Sequence, residues 1–221
     1  MGSEMCIRDR CIHPNNNTIV TSHIRTNDGK ISSGERLKIL GFTFNSEPNA
    51  NLHVSELADK LYKKLWSLRF LKRSGMGQDK LLTVYKSIIR PTADYCSVVY
   101  NSIIPGYTSE KLEKVQRHAM RIIYGNEGDI GEIMERKGIE TLKNRRDKKC
   151  LDFALKAANS DRFGKKWFVE SNSERNVRET TRRRYVEKRC KNERTRNNPI
   201  HFLTRLLNEH ERNTVAERIE N

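Results

Sequence analysis

The chain has 221 residues, of which 43 are Lys or Arg and 28 are Asp or Glu, so its formal net charge at pH 7 is +15. Hydrophobic residues make up 35% of the chain, which is low for a globular protein, and its apolar runs fall short of the ~20 residues that a membrane span needs. This composition argues against a membrane-spanning helix and favours polyanions as partners, nucleic acid first, because each phosphate contact releases condensed counterions.

The first ten residues look foreign to the rest of the chain. Residues 4–10 read EMCIRDR, which resembles a translated transposase adapter end from a sequencing library, so we expect residues 1–10 to be non-native and the natural chain to continue upstream. The five cysteines are widely spaced, which favours free thiols in an intracellular compartment, nuclear or cytoplasmic. Cys6, Cys11 and His13 lack a second ligand pair, so we predict no zinc site there.

Residues 11–45 are predicted to hold the β-structure. Residues 18–25 are rich in β-branched side chains, residues 37–44 are apolar and aromatic, and a turn signal at residues 27–29 lies between them. We predict two strands that pair with each other through a loose connection. Two strands alone are marginally stable, so helices or a missing sheet should pack on them.

Residues 46–160 carry helical patterns. The clearest helix covers residues 52–73, where five apolar side chains recur at three- and four-residue steps: Val54, Leu57, Leu61, Leu65 and Leu68. A neighbouring stripe at four-residue steps consists of three aromatic side chains, Tyr62, Trp66 and Phe70. We predict that this second stripe belongs to the core, with stacking on nucleic-acid bases as the alternative.

Further helices follow along the chain. A helix over residues 78–89 should kink or end at Pro91, and an apolar, buried segment covers residues 92–104. A strong helix over residues 109–124 ends at Gly125, where a C-terminal cap is expected. Two weaker helices are predicted over residues 129–137 and 141–160.

Residues 161–221 form a basic tail. The part from 173 to 196 is rich in Lys and Arg, which predicts a charged helix or a flexible arm. A short terminal helix is predicted over residues 199–219.

Three segments share patterns with one protein family. Residues 37–44 contain K-x-L-G-[VF]-x-[ILF], residues 82–97 contain Y-x-[SA]-[LIF]-[VI]-x-x-x-x-[ED]-Y-[CG]-[SA], and residues 112–125 read L-E-x-[VI]-Q-[RN]-x-A-x-[RK]-x-[IL]-x-G. In this order and spacing, they resemble the downstream end of a reverse transcriptase from a non-long-terminal-repeat, LINE- or jockey-like retrotransposon. The resemblance covers residues 14–158.

The resemblance implies a mainly α-helical, thumb-like bundle with a small N-terminal antiparallel β-hairpin and a basic C-terminal tail. Such a region grips a template–primer duplex, RNA or an RNA–DNA hybrid, by its backbone phosphates. In the family, residues 37–44 belong to the primer grip, so Leu40, Gly41 and Phe42 are its candidate residues here. The grip would follow the end of the palm within residues 11–45, and the thumb would cover residues 46–160.

The catalytic carboxylates of the family are missing. No Asp-Asp pair with a preceding aromatic residue occurs in the chain, and polymerases need clustered carboxylates to hold two metal ions. We therefore expect that the palm lies upstream, that this fragment is inactive alone, and that it holds no cofactor, although the parent polymerase would need Mg. The alternatives are a non-enzymatic basic nucleic-acid-binding protein derived from such an element, and an interaction module without a nucleic-acid ligand.

The candidate phosphate-binding residues are basic side chains on the predicted helices and in the tail. The alternative for the helical residues is a solvated face, and for the tail cluster a nuclear import signal. The candidates are Lys63, Lys64, Lys72, Arg73, Lys114, Arg117, Arg121, Arg182, Arg183, Arg184, Lys188 and Arg189.

Overall fold

The computed structural model describes residues 24–26, 29–31, 36–45, 50–125, 128–170, 184–190 and 196–220. The chain divides into two compact units, residues 1–47 and residues 48–221. The described part is mainly helical, with two-stranded antiparallel sheets near the N-terminus, as the sequence predicted. The foreign-looking residues 1–10, with Cys6, and the neighbouring Cys11 and His13 lie outside the described residues.

The first unit contains two local antiparallel pairs. Strand β1 (Ile24–Thr26) pairs with β2 (Gly29–Ile31), and β3 (Arg36–Ile39) pairs with β4 (Phe42–Asn45). The prediction that residues 18–25 pair with residues 37–44 is therefore wrong for the described residues. Leu40 and Gly41 both have positive φ, 47° and 83°, as the two central residues of a tight hairpin turn do, so residues 37–44 fold back on themselves.

The second unit begins with a long helix, α1 (Asn51–Arg73). Its leucine-rich stripe is buried, as predicted, from Val54 to Leu68. The aromatic stripe is not part of the core, and that prediction is wrong: Tyr62, Trp66 and Phe70 are 43%, 64% and 56% exposed. Neighbouring helices pack on the leucine side of α1, and the aromatic side stays in solvent.

A helical stretch follows and continues through Pro91. It consists of α2 (Gln78–Val84), a π-helical turn (Tyr85–Ile89) and α3 (Arg90–Asp94). The stretch does not end at the proline, because the π-helical turn changes the hydrogen-bond spacing just before it. The Ile88 carbonyl accepts from the Thr92 hydroxyl at 3.0 Å and from the Lys64 ammonium at 3.3 Å. A short helix α4 (Ser97–Tyr100) comes next.

Helix α5 (Gly106–Tyr124) runs parallel to α1. Near the start of both helices, the Thr108 hydroxyl donates to the Asn51 side chain at 2.6 Å. Near their ends, the Lys72 ammonium donates to the Ile123 carbonyl at 3.2 Å. Gly125 ends α5 with a φ of 71°, as the prediction of a glycine cap required.

The two weaker helices also form where the sequence predicted them. Helix α6 (Ile130–Arg136) is capped by Asp129, whose carboxylate accepts from two backbone amides. Helix α7 (Leu142–Ala158) is capped by the Thr141 hydroxyl. A short helix α8 (Gly164–Trp167), which was not predicted, follows α7.

The C-terminal helix α9 (Pro199–Glu220) matches its prediction and packs on α7. Part of the predicted charged segment, residues 184–190, is non-helical and is anchored at Tyr185. Tyr185 is buried in a cluster with Phe168 and Leu207. The Asn208 amide accepts from the Tyr185 N–H at 2.9 Å and donates to the Tyr185 carbonyl at 3.0 Å, as a neighbouring strand would.

Among the residues that the structure describes, no helix is both long enough and apolar enough to cross a bilayer.

Candidate nucleic-acid interface

A basic surface lies along the exposed sides of α1 and α5, and is called here the basic face. On α1 it includes Lys63, Arg69 and Arg73, and on α5 it includes Lys114 and Arg121. The packing of the two helices brings Arg69 and Arg121 close to His118, and the other three cations are exposed on the same two helices. Four of the five, all except Arg69, had been phosphate-binding candidates from the sequence. Together with the exposed aromatic neighbours described below, they make this face the part of the structure that best fits a polyanion.

The two helices meet in the basic face at His118. A terminal guanidinium nitrogen of Arg69 lies 2.5 Å from His118 Nε2. Arginine has only donors, so Nε2 must accept and the imidazole must be neutral. Partial burial lowers the pKa of His118, and the charges of Arg69 and Arg121 lower it further. The Tyr62 ring completes the junction, 6.1 Å from the imidazole and nearly perpendicular to it.

Two aromatic rings lie open to solvent beside these cations. Trp66 and Phe70 stack on each other, with 5.6 Å between ring centroids and 16° between planes. Their four-residue spacing on a helix is the same as that of core residues, which is why the sequence pattern pointed to the interior. In the structure, both rings are more than half exposed.

Several predicted phosphate-binding cations have partners within the protein. The Lys64 ammonium donates to the Thr92 hydroxyl at 2.6 Å, and Lys72 binds the end of α5. Arg117 forms an ion pair with Glu110 on the same helix. These three side chains have structural partners, which reduces what they can offer to a phosphate.

Other predicted cations are available for a ligand. Four of them have side chains that make no hydrogen bond or ion pair with the part of the chain that the structure describes: Lys63, Arg73, Lys114 and Arg121. All four side chains are exposed. They are the strongest phosphate-binding candidates on the basic face.

Of the tail cluster, the structure describes Arg184, Lys188 and Arg189. Arg182 and Arg183 lie outside the described residues. Arg184 pairs with Glu211 at 2.8 Å and with Glu170 at 3.7 Å, and its guanidinium lies over the Tyr185 ring. Lys188 and Arg189 are exposed. Arg184 is therefore part of the contact between residues 184–190 and α9.

The primer-grip candidates form the end of the β3–β4 hairpin in the first unit. Leu40 is 86% exposed at the turn, and Gly41 follows it with positive φ. Phe42 is buried and packs edge to face on Phe44, with 4.6 Å between ring centroids. Leu40 and Gly41 are thus presented at a hairpin tip, while Phe42 stabilises the hairpin.

Two residues of the third family-like segment hold the start of α7. The Glu113 carboxylate accepts from the Lys143 N–H at 2.7 Å and from the Leu142 N–H at 3.2 Å. Gln116 accepts from the same Leu142 N–H at 3.1 Å and donates to the Glu140 carbonyl at 2.9 Å. Both side chains therefore satisfy backbone groups that a helix leaves unpaired at its first turn.

An acidic residue of the second family-like segment also contacts α7. Asp94 is buried and accepts from Arg145 at 2.5 Å, with the Lys149 ammonium at 3.7 Å. Arg146 follows Arg145 on α7 and is only 1% exposed. It donates to Ser109 at 2.6 Å and to Asn101 at 3.2 Å. Sequence reasoning missed these contacts, because polar pairs between helices leave no local periodicity.

Among the described residues, no group of three or more His, Cys, Asp or Glu side chains is arranged to hold a metal ion. Comparisons of the chain with protein-family models, with curated proteins and with solved structures find no match.

Proposed function

We propose that this chain is the helical thumb and C-terminal region of a retrotransposon RNA-directed DNA polymerase, lacking the catalytic palm, and that it grips a template–primer duplex by its phosphates. The ligand is RNA or an RNA–DNA hybrid, and the missing palm is the protein partner. The observation that carries this proposal is the basic face of α1 and α5, with four exposed cations that have no described partner: Lys63, Arg73, Lys114 and Arg121.

The dimensions of the basic face suit a nucleic-acid strand. From Lys63 to Arg73, α1 rises about 15 Å, at 1.5 Å per residue. Phosphates follow each other at about 3.4 Å along the axis of one duplex strand, so this length spans roughly four of them. Contacts of this kind position a duplex without reading its sequence, which is what a polymerase thumb requires.

The role of the family-like segments supports the same proposal. Three residues of the family-like segments fix α7 against α3 and α5: Asp94, Glu113 and Gln116. We attribute their presence in these segments to this role in holding the helices together. The same α5 carries Lys114 and Arg121 on its opposite, exposed side. We infer that the shared pattern encodes a rigid support for the basic face.

The salt dependence of binding tests the proposal. For the full chain on an RNA–DNA hybrid or a DNA duplex, about six phosphate contacts give a slope of log affinity against log salt near −5. Replacing Arg73 and Arg121 by Gln should make the slope shallower by roughly two, since each phosphate contact accounts for about one. The matched control replaces two exposed lysines of α8, Lys165 and Lys166, by Gln and should keep the slope.

Two results would contradict the proposal. A flat response to salt would remove nucleic acid as the ligand. An equal loss of slope in the α8 control would show that net charge, rather than the basic face, drives binding.

A further inference from the structure

We propose that Trp66 and Phe70 form a stacking platform for the bases of an unpaired nucleic-acid segment that adjoins the gripped duplex. This inference rests on the proposed function, because the phosphates of that segment would be held by the same basic face. It goes further by assigning a second ligand class, single-stranded nucleic acid, to a defined pair of side chains.

The geometry of the pair suits stacking. The two rings are within 16° of parallel, and both are more than half exposed, which leaves ring surface available for a further aromatic partner. The rings stand on consecutive turns of a long helix whose other side is buried, so their positions are set by the fold. A base lying on this pair would extend an existing stack.

The surrounding charge favours nucleic acid over a protein as the occupant. Lys63, Arg69 and Arg73 lie on the same exposed part of α1 as the two rings. A protein partner that buried the rings would also have to desolvate these cations, and the cores of protein interfaces are depleted in charged residues. A polyanion supplies phosphates for the cations and bases for the rings at the same time.

The bases must be unpaired for this contact. Inside a continuous duplex, the faces of the bases are already stacked on one another, and side chains reach only their edges and the backbone. In a single strand the faces are available, and aromatic stacking tolerates any sequence because each base has a π-face. The platform should therefore distinguish single-stranded from double-stranded nucleic acid, and should not distinguish one base from another.

Affinities of the full chain for two probes test this inference. One probe is oligothymidylate of about 15 nucleotides, close to the upper site size of a single-strand-binding fold. The other is a duplex of the same length. Trp66→Leu and Phe70→Leu keep an apolar, helix-favouring side chain at an exposed position. Each should weaken binding of oligothymidylate about tenfold, equivalent to about 1.4 kcal/mol, and change duplex binding less than about twofold.

The control variant is Tyr107→Leu, which removes an exposed aromatic ring near the start of α5, and it should leave both affinities unchanged. A spectroscopic readout adds to the affinities. Oligothymidylate should quench tryptophan fluorescence of the unmodified chain, and this quenching should disappear in Trp66→Leu, which retains Trp167 as a reference.

The outcomes separate this inference from the proposed function. If Trp66→Leu leaves the oligothymidylate affinity unchanged while duplex binding remains salt-dependent, the stacking platform is overturned and the proposed duplex binding is retained. Equal weakening of both probes also overturns it. Self-association that Trp66→Leu abolishes, with unchanged oligothymidylate affinity, would assign the rings to a protein contact. Salt-independent or absent binding of both probes contradicts the proposed function itself.

Discussion

His118 lies where the two helices of the basic face meet, and its protonation state follows from its neighbours. Arg69 donates to Nε2, and Arg121 adds a second positive charge nearby, so the protonated imidazole is disfavoured in the folded chain. A single hydrogen bond thus links the ionisation of one side chain to the contact between α1 and α5.

This arrangement predicts a pH-dependent loss of stability. The pKa of His118 is below its usual value of 6.5 in the folded chain, so the unfolded chain binds more protons between the two values. The contribution of His118 is fully present above pH 6.5 and is lost as pH falls through the folded pKa. The free energy of unfolding, measured by chemical denaturation from pH 7.5 down to about pH 5, should therefore fall more steeply than in His118→Gln. Parallel curves for the two chains would contradict this prediction.

Individual exposed residues were the hardest to predict from the sequence. The leucine stripe of α1 was recognised correctly because its steps of three and four residues report one helix side. The adjacent aromatic stripe has equally regular steps. Periodicity alone does not show which of two apolar sides of a helix packs against its neighbour. The distribution of Lys and Arg around Trp66 and Phe70 is the signal that could have placed the rings outside.

At the scale of elements, α7 is held by side chains from two preceding helices, α3 and α5. Glu113 and Gln116 cap its first turn, Asp94 pairs with Arg145, and the buried Arg146 bonds to Ser109. Helices α5, α6 and α7 were each predicted close to their observed bounds, since their caps and periodicity are local. The polar contacts that assemble them were not predicted, because they join residues far apart in the sequence.

The cap supplied by α5 gives a stability prediction. Glu113→Ala should lower the free energy of unfolding by about 1–2 kcal/mol, the usual range for loss of a helix N-cap. Chemical denaturation followed by far-ultraviolet circular dichroism measures this change. Glu110→Ala is the matched control on the same helix, since its exposed ion pair with Arg117 should contribute less. An equal effect of both substitutions would mean that the cap is not what stabilises α7.

At the scale of the molecule, the mainly helical fold could be predicted, whereas strand pairing could not. The turn at Leu40 and Gly41 was read as part of a strand, because leucine at a positive φ is uncommon and gives no turn signal. Residues 173–196 were predicted to be a charged helix or a flexible arm, because charged residues surround Tyr185, which is buried, and its partner Asn208 is distant in the sequence. The first error concerns a local turn without the usual turn residues, and the second concerns a contact between residues far apart in the sequence.

The division into two units predicts independence of the larger one. A chain of residues 48–221 should keep its cooperative helical unfolding, with a melting temperature close to that of the full chain, because its core residues lie within that unit. Thermal unfolding followed by circular dichroism measures this. A chain of residues 1–198, which lacks α9 and so loses Leu203, Leu207 and Asn208 from the packing on α7, should unfold at a clearly lower temperature. Similar melting temperatures for the two shortened chains would contradict this prediction.

The parallel direction of α1 and α5 has an electrostatic consequence. Their macrodipoles point the same way and reinforce each other, whereas antiparallel neighbours would largely cancel. Neither helix has an acidic residue in its first turn, so the partial positive charge at both N-terminal ends is not neutralised from within the helix. At the opposite ends, where the dipoles are negative, Lys72, Arg73 and Arg121 supply full positive charges. An extended polyanion lying along the pair therefore meets positive charge at both ends, whereas a compact anion meets only one end.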